Sequence, residues 1–532
     1  MADGAKKNLA AVLGTGQTKY VAKRKDVSMN GLVREAIDKA LADSDCTMDD
    51  IDAVVVGKAP DFFEGVMMPE LFMADATGAT NKPLIRVHTA GSVGGSTAIV
   101  AASLVQSGKY RRVLTMAWEK QSESNAMWAL SIPVPFTKPV GAGAGGYFAP
   151  HIRAYIRRSG APTHIGAMVA VKDRLNGAKN PLAHLHQPDI TLEKVLESPM
   201  LWDPIRYDET CPSSDGAAAL VIGDEATADA RVAEGHPVAW IHATALRTEP
   251  LAYAGRDQVN PQASRDAAAA LWKAAGITSP IDEIDVGEVY VPFSWYEPMW
   301  LESLGFAAEG EGWKLTEAGE TAIGGRIPFN PSGGVLSSNP IGASGMIRFA
   351  ESAIQVMNKA GDHQVPGAKK ALASSASPLI PACTWHSPAH TCRFVRPVMR
   401  RTWAPRNWSG QNRTSRSAGI ESTTSTAFDD VQQMSVSAFT AAVVLTYDTT
   451  TAPGCSAFQA RSSSAVIESA SEHPARSSGM RTVLAGDRIL AVSAMKCTPQ
   501  KTMVSSGASA AMRDRASESP TWSATSWIAG SW

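Results

Sequence analysis

Residues Asn330-Pro-Ser-Gly-Gly-Val-Leu-Ser-Ser-Asn339-Pro-Ile-Gly-Ala-Ser-Gly345 run straight into Met346-Ile-Arg-Phe-Ala-Glu-Ser-Ala-Ile354. Glycines and small residues end an extended segment, and apolar residues at three- and four-residue spacing then open a helix. Glycine has no Cβ, so other atoms can approach its backbone closely. The helix start behind the loop carries unpaired N–H groups and the positive end of the macrodipole, which suits an oxyanion. A strand, a glycine loop and a helix in this order are expected to hold a ligand.

Outward from this loop, the chain alternates strands and helices through about residue 370, the pattern of an α/β protein. Ala10–Gly16 and Ile51–Gly57 read as buried strands, with a helix over Ser28–Leu41 between them and Ser28 as its N-cap. A helix over Ser92–Gln106 and a strand over Arg112–Trp118 follow. Then come a glycine-rich segment, Gly141–Gly146, an insert with helices, and the strand that Cys211-Pro-Ser-Ser-Asp-Gly216 leads into. The order repeats as strand Val238–Ala245, helix Ser264–Ala275, strand Asp285–Val291, helix Ser294–Leu304 and helix Gly342–Asn358. This predicts two related βαβαβ halves: residues 1–230, with a covering insert at about 120–210, and residues 231–373. A ligand site is expected where the halves meet, beyond the carboxyl ends of the strands.

The first half ends with two core strands, and the second half shows no counterparts to them. From about Ser374 the chain is rich in Ser, Thr, Arg and Ala, and its only lysines are Lys496 and Lys501. Only Ala438–Tyr447 and Val483–Met495 carry a strand-like pattern there. Residues 374–532 are therefore read as an irregular tail foreign to the fold, from a reading-frame change or read-through, with an accessory domain as the alternative. On this reading the second half is incomplete.

A net charge of −1 gives no reason to expect a nucleic-acid partner. No apolar run approaches the roughly 20 residues of a membrane span, and the start of the chain lacks a signal-peptide core. Six cysteines in 532 residues make no disulfide framework. A cytoplasmic protein is expected.

Four segments, in this order and spacing, carry a family resemblance: His88-Thr-Ala-Gly-Ser92-Val-Gly-Gly95; Asn180-Pro-Leu-Ala with Leu201-Trp-Asp-Pro-Ile205; Cys211-Pro-Ser-Ser-Asp-Gly-Ala-Ala-Ala219; and the quoted loop. Over residues 8 to about 370 the chain resembles the sterol-carrier or lipid-transfer branch of the thiolase superfamily. The resemblance implies the thiolase fold, two related halves in a layered α/β/α/β/α arrangement.

It also implies site positions. The family's nucleophilic cysteine sits at the start of a buried helix, where the dipole and N–H groups lower its pKa. That position matches Ser92, followed by Gly94 and Gly95. Serine is a weak nucleophile without a base, and His88 is the nearest in sequence. Ser92 is thus a helix cap, a substrate hydrogen-bonding group or a covalent nucleophile. The branch's His-Asp-Cys-Phe motif reads Tyr290-Val-Pro-Phe293 here. Tyr290 is a donor to a thioester oxygen, a proton-transfer group or an aromatic rim residue. Asn339 replaces the histidine of Gly-His-Pro, keeping a donor and losing a base, with Ser344 and Gly345 after it. His88, Gly94, Gly95, Ser344 and Gly345 are the substrate-binding candidates. The family's terminal Cys-x-Gly base is absent, and Cys211 is read as an inert structural thiol.

Losing these groups together argues against thiolysis. What the resemblance implies is an acyl-CoA-binding enzyme that makes or breaks a C–C bond beside a thioester, of retro-aldol or acyltransferase type, in lipid or steroid metabolism. Thiolase-like aldolases of steroid side-chain breakdown resemble this arrangement and work with a small OB-fold acyl-CoA-binding partner. The rivals are a non-catalytic lipid or acyl-CoA carrier and an acetyl-CoA acetyltransferase-type enzyme using Ser92. A coenzyme A thioester is expected as substrate, with no bound cofactor, and the protein as a homodimer. Thiol alkylation is expected to spare activity. Gly141–Gly146 lacks the Gly-Lys-Ser/Thr ending of a phosphate loop, and Cys383, His386, His390 and Cys392 match no common zinc spacing.

Overall fold

The computed structural model describes residues 8–59, 63–66, 68–124, 143–249, 256–375, 377–382 and 437–446. The chain divides into two units, Met1–Pro453 and Gly454–Trp532, and every described residue lies in the first. The first half runs β1 (Ala10–Gln17), α1 (Met29–Asp43), β2 (Ala53–Gly57), α2 (Glu70–Thr77), β3 (Leu84–Val87), α3 (Val93–Gln106) and β4 (Arg112–Lys120). The insert holds α4 (Gly143–Ser159), α5 (Ile165–Lys179) and a small hairpin, β5 (Met200–Trp202) with β6 (Ile205–Arg206), before β7 (Asp215–Asp224). The second half runs β8 (Ala239–Glu249), α6 (Gln262–Ala275), β9 (Val286–Val289), α7 (Ile341–Val356), β10 (Lys370–Ser374), β11 (Ser377–Ala382) and β12 (Ser437–Thr446).

Local chemistry explains the element ends. The Ser28 hydroxyl caps α1 by accepting Gly31 N, and Leu32, Val33, Ala36, Ile37, Ala40 and Leu41 form its buried stripe. Along the strands the side chains alternate strictly. Val12, Val55, Val113, Leu220 and Ile222 face one core, while Leu13, Val54, Val56, Leu114, Met116 and Val221 face another. Both faces of these strands are covered, as the parallel pairing of β2 with β3 and β4 requires.

The strand order is β3-β2-β4-β7-β1-β8-β12-β10-β9, with Ala10–Val12 of β1 joined antiparallel to Ala239–Ile241 of β8. An isolated parallel bridge, Gly287 to Phe329, lies next to β9. Read from the middle outward, the two halves mirror each other: β8 answers β1, β12 answers β7, β10 answers β4, β9 answers β2, and Phe329 answers β3. The expectation that nothing beyond Ser374 completes the second half is therefore corrected. β12 pairs antiparallel with β8 on one side and β10 on the other, and Val443, Val444 and Leu445 are buried. The physical reason is plain: β8 and β10 each present an open row of N–H and C=O groups that a buried strand cannot leave unpaired. Val483–Met495 lies outside the described residues.

The layers follow the expectation. α1 covers the outer face of the first half, and α6 packs Ala267, Ala268 and Leu271 on the outer face of the second. Between them lies a shared core, to which α3 gives Ala98, Ala102 and Val105 and α7 gives Met346, Ile347 and Phe349. Strands of both halves contribute to it, including Leu220 and Val443. This is the α/β/α/β/α arrangement.

Candidate active site

α3 and α7 meet through their first turns. A Cβ placed on Gly94 would lie 2.4 Å from Met346 N, and one on Gly345 would lie 2.5 Å from Gly95 N. No side chain fits there, so the two helix starts touch backbone to backbone. Gly94 and Gly345 thus each leave room for the backbone of the other helix.

The start of α7 is not open to an anion either. Glu119, at the end of β4, accepts the Gly342 N–H at 3.1 Å and pairs with Lys58, which also pairs with Glu64 at 2.7 Å. All three side chains are buried. The quoted loop is pinned in the same way. Glu288 pairs with Arg348 and accepts Ser332 N at 3.0 Å and Ser332 Oγ at 2.9 Å. Asn330, with a φ of 53°, accepts Val289 N at 2.8 Å.

Ser92 is fully buried, and its hydroxyl donates to Thr89 O at 2.9 Å. Its φ of −87° and ψ of 4° are not those of an extended cap residue, and the hydroxyl makes no cap bond to α3. The expected capping role is thus absent, because a tight turn at Ala90–Ser92 bends the side chain back. Thr89 Oγ1 in turn donates to Ser96 Oγ at 2.8 Å. A proton committed to a carbonyl is not being passed to a base. His88, just past β3, is half-buried.

Asn339 is held on every side. Its N–H donates to Ser214 Oγ at 3.1 Å, and its carbonyl accepts from Gln121 Nε2 and from Ser214 N at 3.4 Å. Ser344 Oγ donates to Asn339 Oδ1 at 2.7 Å, which fixes the amide orientation. Asn339 Nδ2 then faces Cys211 Sγ at 3.1 Å. The Ser214 hydroxyl, accepting from Asn339, has its own proton for His184 Nδ1 at 2.9 Å. Burial lowers the His184 pKa, and the charges of Arg174 and Lys19 add to the effect, so the ring is neutral.

Cys211, read as a structural thiol, lies in the site. Its N–H donates to Pro292 O at 3.1 Å, and Thr210 bridges Phe293, so this segment runs beside the Tyr290 loop. Burial pushes its thiol up to about 11, against the pull of the Asn339 hydrogen bond and Arg174. Tyr290 extends β9, its N–H donating to Ser374 O at 3.0 Å and its carbonyl accepting Trp300 Nε1 at 2.7 Å. Burial, then the nearby Cys211, raises its phenol far above the ordinary range. Tyr290 is thus a donor or acid at neutral pH and not a base. Next to Ser374, Ser375 Oγ donates to Ser92 O at 3.4 Å. Two consecutive residues at the end of β10 therefore touch Tyr290 and Ser92, while Cys211 links Tyr290 to Asn339.

The sequence reading missed Lys58, Glu119, Gln121, His184 and Ser214. A signal was available for three of them: Lys58 directly follows the wholly apolar β2, and the Glu119–Gln121 run closes the mostly apolar β4. Among the described residues no group of His, Cys, Asp or Glu is placed to hold a metal ion, and no helix is long and apolar enough to cross a membrane. Cys383 to Cys392 lies outside the described residues.

Comparison with known proteins bears on this frame. A family profile described as "Thiolase C-terminal domain-like" matches residues 247–382. An acetyl-CoA acetyltransferase of Methanothermobacter thermautotrophicus is 33% identical over 375 residues, covering 68% of this chain and 94% of that one. Human sterol carrier protein 2 is 29% identical over 379 residues, 68% of each chain. A solved structure named Ltp2-ChsH2(DUF35) aldolase matches with a TM-score of 0.60 and 25% identity, over 70% of this chain and 96% of that one. With two mirrored halves, paired helix starts and these relatives, the chain belongs to the thiolase superfamily, in its sterol-carrier-type branch.

Proposed function

We propose that this protein binds an acyl-CoA thioester and cleaves or forms the C–C bond beside it, in the retro-aldol sense, in lipid or steroid metabolism. One observation carries the reading. The Tyr290 hydroxyl, on a buried residue, makes no hydrogen bond among the described residues, and the Tyr290–Phe293 loop is tied to the segment of Cys211, whose thiol meets the Asn339 amide at 3.1 Å. Two neutral donors near one point suit the oxygen of a thioester enolate. Ser92, its proton given to a carbonyl, is a poor nucleophile, which argues against an acetyltransferase using it.

In the cleavage direction a base takes the β-hydroxyl proton, the Cα–Cβ bond breaks, and the β-carbon leaves as a carbonyl. The electron pair becomes an enolate on the thioester, whose oxygen Tyr290 and Asn339 stabilise before Cα is protonated. The base in this proposal is the Ser214–His184 pair: Ser214 Oγ takes the substrate proton as it passes its own to the acceptor nitrogen of neutral His184, 2.9 Å away. The coenzyme A thioester enters as substrate. The likeness to the Ltp2-ChsH2(DUF35) aldolase, a solved complex, supports a partner chain, for which we propose the small OB-fold acyl-CoA-binding protein that the family resemblance implies. A homodimer in the cytoplasm completes the proposal.

The test is turnover of a β-hydroxyacyl-CoA and of a β-ketoacyl-CoA with free CoA, each with and without a candidate partner. Carbonyl product and a shortened acyl-CoA from the first substrate alone support the proposal. Faster thiolysis of the second rejects it, and binding of both without turnover would make the protein a carrier.

A further inference from the structure

We infer that Cys211 is a further residue of this site, a positioning group that holds the Asn339 amide with one N–H turned to the substrate oxygen. The inference rests on the proposed function and deepens it. Asn339 has two amide hydrogens and one amide oxygen to place. Ser344 Oγ occupies the oxygen at 2.7 Å, and Cys211 Sγ takes one hydrogen at 3.1 Å. The second hydrogen has no partner among the described residues. Without Cys211 the amide plane is held at one end only, and it can swing about its terminal bond.

A cysteine alone would not make a site. Here a second group points to a ligand: Tyr290 is 5% exposed, and its hydrogen bonds among the described residues all run through its backbone, to Ser374 O and from Trp300 Nε1, leaving the hydroxyl for a ligand. Three elements deliver the three groups, the segment before β7, the end of β9 and the start of α7. Their register is fixed by the Cys211 N–H to Pro292 O bond and the Thr210–Phe293 bridge. Sulfur suits the role because it is a weak acceptor. It orients the amide without drawing its hydrogen away from a developing oxyanion. Burial keeps the thiol protonated at neutral pH, so no negative charge competes with the enolate.

The experiment uses the full chain, acetyl-CoA as probe in calorimetry, and methyl methanethiosulfonate as a reversible thiol reagent. Contrary to the expectation that thiol modification spares the protein, methylthiolation of the wild type should weaken acetyl-CoA binding about tenfold or more, the scale of one well-placed hydrogen bond, and dithiothreitol should restore it. Acetyl-CoA should slow labelling of Cys211. Cys211→Ala should show the same loss with an unchanged melting temperature, and Cys211→Ser should recover most of it. Cys46→Ser, at a thiol bonded only to Ser44 O, should leave the response to the reagent as in the wild type. A Cys211→Ala protein that binds like the wild type overturns the inference and leaves the proposed function standing. A wild type that does not bind acetyl-CoA at all overturns both.

Discussion

The carboxyl of Glu119 accepts the N–H of Gly342 at 3.1 Å, so the first turn of α7 meets a buried protein group where a ligand was expected. In the proposed function, recognition passes from the helix backbone to the side chains of Tyr290 and Asn339. Glu119→Ala would remove this acceptor and one partner of buried Lys58. It should cost about 3 kcal/mol of stability, the scale for stripping a buried ion of its partner. Glu119→Gln keeps an acceptor and should cost less. Chemical denaturation measures both, and equal stability of Glu119→Ala and wild type would remove Glu119 from this role.

Tyr290→Phe deletes a hydroxyl that bonds to nothing among the described residues. The melt should therefore be unchanged while turnover falls about 10²-fold, the usual effect of losing one enolate donor. A parallel fall in melting temperature would mean that the hydroxyl supports the fold.

Gly94→Ala places a methyl group 2.4 Å from Met346 N, a backbone atom that cannot step aside. The crossing of α3 and α7 must open, at about 1–3 kcal/mol or more. A thermal melt reads this directly. An alanine variant as stable as the wild type would show that the helices do not meet there.

A chain ending before Ser437 should lose its cooperative melt or aggregate, because β8 and β10 would keep unpaired inner edges. A chain ending at Pro453, the limit of the first unit, should retain the melt. Soluble, cooperative protein from the shorter chain would return the region after Ser374 to the status of a foreign tail.

The pair of His363 and Glu351, 3.0 Å apart and buried, should shape stability against pH. Burial works to lower the His363 pKa, but the Glu351 hydrogen bond and charge outweigh it, with Glu288 helping and Arg348 opposing. A histidine with a raised folded pKa stabilises fully below its ordinary value near 6.5, and that stability is lost as pH climbs through the folded value. Stability should thus fall as pH rises above about 6.5 and through the raised folded value in the wild type, and His363→Gln should flatten that slope. Identical slopes in the two proteins would count against the ion pair.

Much of the frame was legible in the chain because it is written in local periodicity. The helices at Met29–Asp43 and Ile341–Val356 and the strands at Ala53–Gly57 and Arg112–Lys120 lie within a few residues of where spacing put them. β12 was less legible. Its apolar run sits in Ser- and Thr-rich text, and its partners β8 and β10 are distant in sequence, so no local pattern announces the pairing. Tyr290 and Asn339 stood out as replacements within motifs. The turn of the Ser92 hydroxyl toward Thr89 O could not be read, since it depends on one dihedral. Gly94 and Gly345 looked like ligand glycines because close approach to a substrate and close approach to another helix leave the same mark on a sequence.

The position of β12 also has a consequence for synthesis. Its partner β10 leaves the ribosome well before Ser437 is made, with a delay of roughly 3–13 s at about 5–20 residues per second. During that interval the nascent second half waits with its central slot vacant, while the first half already has every strand it needs. The growing chain is therefore most exposed to chaperones and to mispairing just before its closing strand emerges, and conditions that slow translation over that stretch should lower the yield of folded protein.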